Sequence, residues 1–162
     1  MTRPQYETST DRVNETRIAD TLEQVWQVRL HKLPHHQHID CAVVGRDGHV
    51  KGLVEIKART FAWGDYPDVM LSASKVAKAK EFFECFNLNT AFVVADRTFD
   101  IRFVLIGTGD FVCNFGGRTR NPRDRDDSEL IVNIPLDQFT PVTSFGRFAG
   151  LERWSSQLIN KD

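Results

Sequence analysis

"HIDCAVVGRDGHVKGLVEIKAR", residues 38–59, sets an aspartate and a glutamate into two runs that otherwise read as sheet. Residues 39–45 and 50–58 are rich in β-branched side chains, and the Asp47-Gly48 pair between them is a strong hairpin signal. With Asp47 and Gly48 as the two central turn residues, Arg46 faces His49 and Asp40 faces Glu55. Side chains alternate along a strand, so Lys57 shares the face of Glu55, with Leu53 and Ala42 as apolar neighbours, while Val54 and Ile56 point the other way. Two carboxylates about 5 Å apart repel by about 3 kcal/mol at an effective dielectric near 20. Asp is also a poor strand former. A divalent cation offsets that repulsion, because a hard ion such as Mg²⁺ takes one or two carboxylates and completes its shell with water and substrate phosphate. A lysine beside such an ion orients the water and stabilises developing charge, so the three groups suit phosphodiester hydrolysis. The competing explanation is a solvated strand face with ordinary surface charges. A bulge at Gly45 or Gly52 would shift the register on which the pairing rests.

The rest of the chain bounds this reading. At 162 residues one domain is expected, with enough chain to cover a sheet with helices. Lys and Arg number 21 against 22 acids, so no global positive field exists and any polyanion site is built locally. Cys41, Cys85 and Cys113 lack metal-ligand spacing and read as reduced, mostly buried thiols, which suits a cytoplasmic location. No apolar run has signal-peptide or membrane-spanning character, so no membrane partner is expected.

Ile18, Leu22, Val25, Trp26 and Leu30 recur at helical spacing before Pro34, which predicts a first helix over 14–32 with Asn14 as its N-cap. A second helix spans Ser72 to Phe86, with Val76, Ala79, Phe82 and Phe83 on one face. Strands follow at 90–95 and 101–106, then a β-rich part at 110–115 and 129–134 around an Arg/Asp loop, then a short helix at 150–159. The order is α-β-β-α-β-β with C-terminal additions.

An aspartate on one strand and Glu-x-Lys on the next, Asp40 and Glu55-Ile56-Lys57, resembles the PD-(D/E)XK nuclease superfamily over about residues 14–106. The usual proline before the aspartate is absent; Ile39 stands there. The resemblance implies an α/β, restriction-endonuclease-like αβββαβ core, a mixed sheet flanked by helices, extended here by a C-terminal β-hairpin and short helix. The third core strand is either the one after the second helix or a short one that the pattern does not place. It also implies a Mg²⁺- or Mn²⁺-dependent deoxyribonuclease. Asp40, Glu55 and the Ile56 carbonyl would hold the metal, and Lys57 would position the attacking water. Glu15 fits the family's first-helix pattern with Ile18 and Leu22, which makes it a further catalytic candidate ahead of Glu23. Lys75 and Ser72 at the second helix N-terminus, and Arg59 after the catalytic strand, are expected nucleic-acid contacts. In layout the chain is similar to small phage nucleases and Holliday-junction resolvase relatives, so it could be phage-encoded and act in a bacterial host. A catalytically inactive module of the same fold, binding nucleic acid or a protein, is the alternative. RNA as substrate, a homodimer, the preferred DNA structure and cutting from within or from ends stay open.

Other signals carry less. His31, His35, His36 and His38 lack a completing cysteine and are broken by Pro34, so exposed histidines are expected rather than zinc; His38, opposite Lys57 by the hairpin count, would lie at the site's rim. Phe61, Trp63 and Tyr66 either stack on unpaired bases or cover the sheet. Arg118, Arg120, Arg123 and Arg125 alternate with acids and read as a solvated hairpin tip.

Overall fold

The computed structural model describes residues 8–117 and 128–144. Helix α1 (Ser9–Trp26) begins where Thr8 and Asp11 cap each other. The Asp11 N–H donates to the Thr8 hydroxyl at 3.2 Å, and the Thr8 N–H donates to the Asp11 carboxylate at 2.9 Å. Asn14 therefore lies inside the helix, which ends at Gln27 in the left-handed conformation. The chain then enters strand β1 (Arg29–Lys32), so the expected helix over 14–32 is corrected at both ends. Leu30 satisfies helical spacing yet belongs to the strand, opposite Val43, and its N–H donates to the Glu23 carboxylate at 2.9 Å. Spacing does not separate the two cases, because Leu30 packs against the same cluster as Ile18, Leu22 and Trp26.

The later strands are β2 (Cys41–Val44), β3 (Val50–Ala58), β4 (Asp68–Ser72), β5 (Thr90–Ala95), β6 (Ile101–Leu105), β7 (Cys113–Gly117), β8 (Ser128–Pro135) and β9 (Thr140–Pro141), with helix α2 (Ala73–Phe86) after β4. Six form a mixed sheet in the order β1-β2-β3-β5-β6-β9, in which only β3 and β5 are parallel, joined by the crossover through α2. The run α1-β1-β2-β3-α2-β5 is the αβββαβ core of the restriction-endonuclease-like fold, and β1 is the short strand that the sequence pattern hides. Strand β4 leaves this sheet and pairs with β8 in a second sheet of order β4-β8-β7. One face of the large sheet packs its Cys41, Val43, Val54 and Ile56 under α1. The other meets α2 and the second sheet through Phe92, Val94, Val76, Ala79, Leu71 and Val132.

The β2–β3 hairpin differs from the expected two-residue turn. The Gly45 N–H donates to the His49 carbonyl at 3.0 Å, so Gly45 rather than Arg46 faces His49, and Gly48 takes φ 81° to close the longer loop. That shift by one residue is undone two positions later. Val44 pairs with Val50 but Val43 pairs with Gly52, so Lys51 is bulged out. Cys41 consequently meets Val54, as the simple turn would have it. The short C-terminal helix expected at 150–159 and the four arginines of the 116–128 loop lie outside the described residues. Of the cysteines, Cys41 is buried, but Cys85 and Cys113 are exposed, which corrects the expectation of mostly buried thiols. Among the described residues no helix is long and apolar enough to cross a membrane.

Candidate active site

Glu55 sits mid-strand in β3, paired on one side with Phe92 of β5, and its side chain is 0% exposed. Alternation turns it, with Leu53 and Lys57, away from the α1 face and toward α2. There the Lys57 Nζ lies 3.4 Å from Glu55 Oε1. The Lys75 Nζ, reaching across from the first turns of α2, lies 3.1 Å from each carboxylate oxygen. Oε1 nonetheless has no hydrogen-bond partner: its contacts with the two ammoniums are ionic and do not meet hydrogen-bond geometry.

Asp40 immediately precedes β2, so it does not form the strand pair with Glu55 that the hairpin count predicts. Its carbonyl accepts the Leu33 N–H at 2.8 Å, which carries the β1–β2 register one residue further. Its carboxylate takes over the ladder instead: Oδ2 accepts the Ile56 N–H at 2.7 Å. The Leu53 and Arg59 N–H groups donate toward β5, to Asn89 and Ala95, so Ile56 addresses the other side of β3. In a strand a residue's N–H and C=O share a side, which turns the Ile56 carbonyl toward Asp40 as well.

The electrostatics follow from this crowding. Burial raises the Glu55 carboxyl above its ordinary value, the Asp40 charge raises it further, and the Lys57 and Lys75 ammoniums pull against both. Burial alone would lower Lys57, but the Glu55, Asp40 and Glu15 carboxylates outweigh it and raise it. The Cys41 thiol is pushed up to about 12, by burial first and then by Asp40, with smaller effects from Glu15 and Glu55. Glu15, half-buried on α1, is thus close enough for Lys57 and Cys41 to feel its charge. Glu23 is engaged elsewhere, on the Leu30 N–H.

The remaining candidates are held by the fold. The Arg59 guanidinium donates to the Met70 carbonyl at 2.9 Å, and burial lowers its pKa against the raising effect of Glu55. Ser72 stands at the N-cap of α2 without capping it; its hydroxyl donates to Glu129 at 3.0 Å and shares a contact with Ser74. His38 is not opposite Lys57 in the sheet: it ends a short 3₁₀ turn at φ 62°, its side chain is exposed, and its carbonyl accepts from Lys75 at 2.6 Å. That main-chain contact had no signal in the sequence. Trp63 and Phe61 pack against the second sheet's core, while Tyr66 is 59% exposed.

Among the described residues no group of three or more His, Cys, Asp or Glu is arranged to hold a metal ion. The donors that do converge are two carboxylates and a peptide carbonyl, one carboxylate oxygen being buried and without a hydrogen bond. That all-oxygen, partial set fits a hard cation that keeps water and substrate ligands, and it does not fit zinc.

The sequence of residues 1–142 matches the family described as "Phage putative PDDEXK endonuclease". The chain belongs to this family. Its fold and its assignment as a nuclease of PDDEXK type follow. Among solved structures, the chain is similar to the Holliday junction resolvase Hjc of the archaeal hyperthermophile Archaeoglobus fulgidus, at 15% identity and a TM-score of 0.46, over 81% of this chain and 93% of that one. No curated protein matches the sequence significantly.

Proposed function

We propose that this PDDEXK nuclease is a Mg²⁺- or Mn²⁺-dependent deoxyribonuclease. The observation that carries the reading is Glu55, a fully buried carboxylate with an oxygen lacking any hydrogen bond, beside a second carboxylate and two ammoniums. A buried acid paired with side-chain ammoniums, with one oxygen outside hydrogen-bond geometry, is costly for a purely structural role. Asp40, Glu55 and the Ile56 carbonyl would hold the divalent cation, which when bound polarises a phosphoryl oxygen and makes water a nucleophile at neutral pH. Asp40 is oriented for this by the Ile56 N–H. Lys57, kept protonated by the surrounding carboxylates, donates a hydrogen bond to the attacking water and offsets charge developing on the phosphorane. Glu15 contributes negative charge on the α1 side of Lys57 and is the further acid of the site. Arg59, two residues beyond Lys57, supplies positive charge for the scissile strand's backbone.

The test is incubation with supercoiled, linear, single-stranded and four-way-junction DNA in Mg²⁺, Mn²⁺ or EDTA, beside a Lys57→Ala control. Cleavage is expected with either metal and is expected to vanish in EDTA and in the control. Cleavage that persists in both rejects the mechanism.

A further inference from the structure

Lys75 sits in the first turn of α2, whose Val76 and Ala79 are buried in the core, so the start of its side chain is fixed by packing. Its far end is fixed separately. The ammonium lies 2.6 Å from the His38 carbonyl and 3.1 Å from both Glu55 oxygens, three oxygens around one positive charge. His38 aims its carbonyl there from a left-handed conformation that non-glycine residues rarely adopt. Two segments distant in sequence, residues 35–38 and β3, therefore build an oxygen cage, and the chain fills it with a cation of its own.

Charge counting gives this cage a consequence. Asp40 and Glu55 are matched by Lys57 and Lys75, so these four groups are neutral together before any divalent ion arrives. Lys57 extends from the same strand as Glu55 and lies 3.4 Å from its Oε1, whereas Lys75 comes from α2 and lies 3.1 Å from both oxygens. An ion taking Glu55 as ligand meets the Lys75 charge, 3.1 Å from both carboxylate oxygens.

We propose that Lys75 is the internal counter-ion of Glu55, a positioning residue that holds the carboxylate in place in the metal-free protein and competes with the divalent cation for it. This rests on the metal reading of the site. In the metal-free state the lysine offsets the burial of Glu55; on metal entry it gives up Glu55 and retains the His38 carbonyl. The competition tunes metal affinity downward, in the way any ligand that must be displaced lowers apparent affinity.

The test is a titration of the full-length protein with Mn²⁺ alone, without DNA, following free Mn²⁺ by electron paramagnetic resonance. Lys75→Met keeps the apolar stem and removes the charge; it is expected to bind Mn²⁺ about tenfold more tightly than the wild type, within the usual range of coupling between sites. In melting experiments the same variant is expected to lose stability without metal and to gain more from saturating Mn²⁺ than the wild type does. A lysine with a merely structural role predicts unchanged or weaker Mn²⁺ binding, and that result in a folded variant overturns the inference while leaving the metal reading intact. Absence of Mn²⁺ binding in both proteins overturns the metal reading and this inference with it. Should Lys75→Met not fold, Lys75→Gln, which keeps a donor for His38, is read by the same criteria.

Discussion

Two carboxylates are buried in opposite ends of this molecule's chemistry. Glu55 is 0% exposed and Asp96 is 7% exposed, so burial alone does not distinguish them. Their partners do. Asp96 sits where β5 turns toward β6 and accepts from the Thr98 N–H, the Thr98 hydroxyl and the Asp100 N–H on one oxygen, and from the Trp63 N–H on the other. Burial pushes its carboxyl up, but these hydrogen bonds outweigh it and hold it below the ordinary carboxylate value. Glu55 meets two side-chain ammoniums and a second acid, keeps one oxygen without a hydrogen bond, and is raised. Fixed main-chain donors cannot leave, so Asp96 is a brace for the loop carrying Trp63. Side-chain ammoniums can leave, so Glu55 is open to exchange of partners. Depth of burial separates these two acids less than whether their partners are replaceable.

Substitution breaks the comparison most sharply. Glu55→Gln keeps the shape and removes the charge; metal-dependent cleavage is expected to fall by about a thousandfold or more, since an ion contributes several kcal/mol to the transition state. Circular dichroism should show the fold retained. Asp96→Ala does the reverse, because it strands the Trp63, Thr98 and Asp100 N–H groups. A loss of about 3 kcal/mol in urea unfolding is expected, with cleavage per folded molecule unchanged. If Glu55→Gln only destabilises, or Asp96→Ala abolishes cleavage in folded protein, the distinction fails.

The pH dependence sharpens the same contrast with smaller effects. Glu55 is raised above its ordinary 4.5, so between 4.5 and its folded value the native state binds more protons than the unfolded chain. Metal-free stability from this group therefore falls as pH rises through that window, and Glu55→Gln should flatten the slope. Asp96 is lowered below 3.8, so its contribution is present above 3.8 and is lost as pH falls through the lower folded value. Asp96→Asn should flatten stability only in that acidic range. Urea melts across pH on the two variants check both signs, and identical slopes in both would show the acids to be equivalent.

The core of the candidate site was legible because strand alternation is local. Glu55, Lys57 and Leu53 share a face whatever the rest of the chain does. The register was legible for a less secure reason: the turn is one residue longer than the Asp-Gly signal implies, and the bulge at Lys51 restores the count before Cys41 meets Val54. Strand β1 was hidden because Leu30 serves the apolar pattern of either a helix or a strand packed on one core. Asp40 was placed near the right atoms but with a different duty, on the Ile56 N–H instead of across from Glu55.

The sequence by itself determined that Glu55 and Lys57 lie together on one face of β3, since covalent spacing and the two-residue period of a strand fix that relation, and it placed Asp40 beside them just before β2. Only the tertiary structure decided that Lys75, held by the His38 carbonyl, closes on Glu55 and that Asp96 is saturated by Trp63, Thr98 and Asp100. Those contacts depend on how α2 crosses the sheet and how the loop after β3 folds back to β5. Such placements come from burial of the two apolar faces as a whole, and no periodicity within a single segment encodes them.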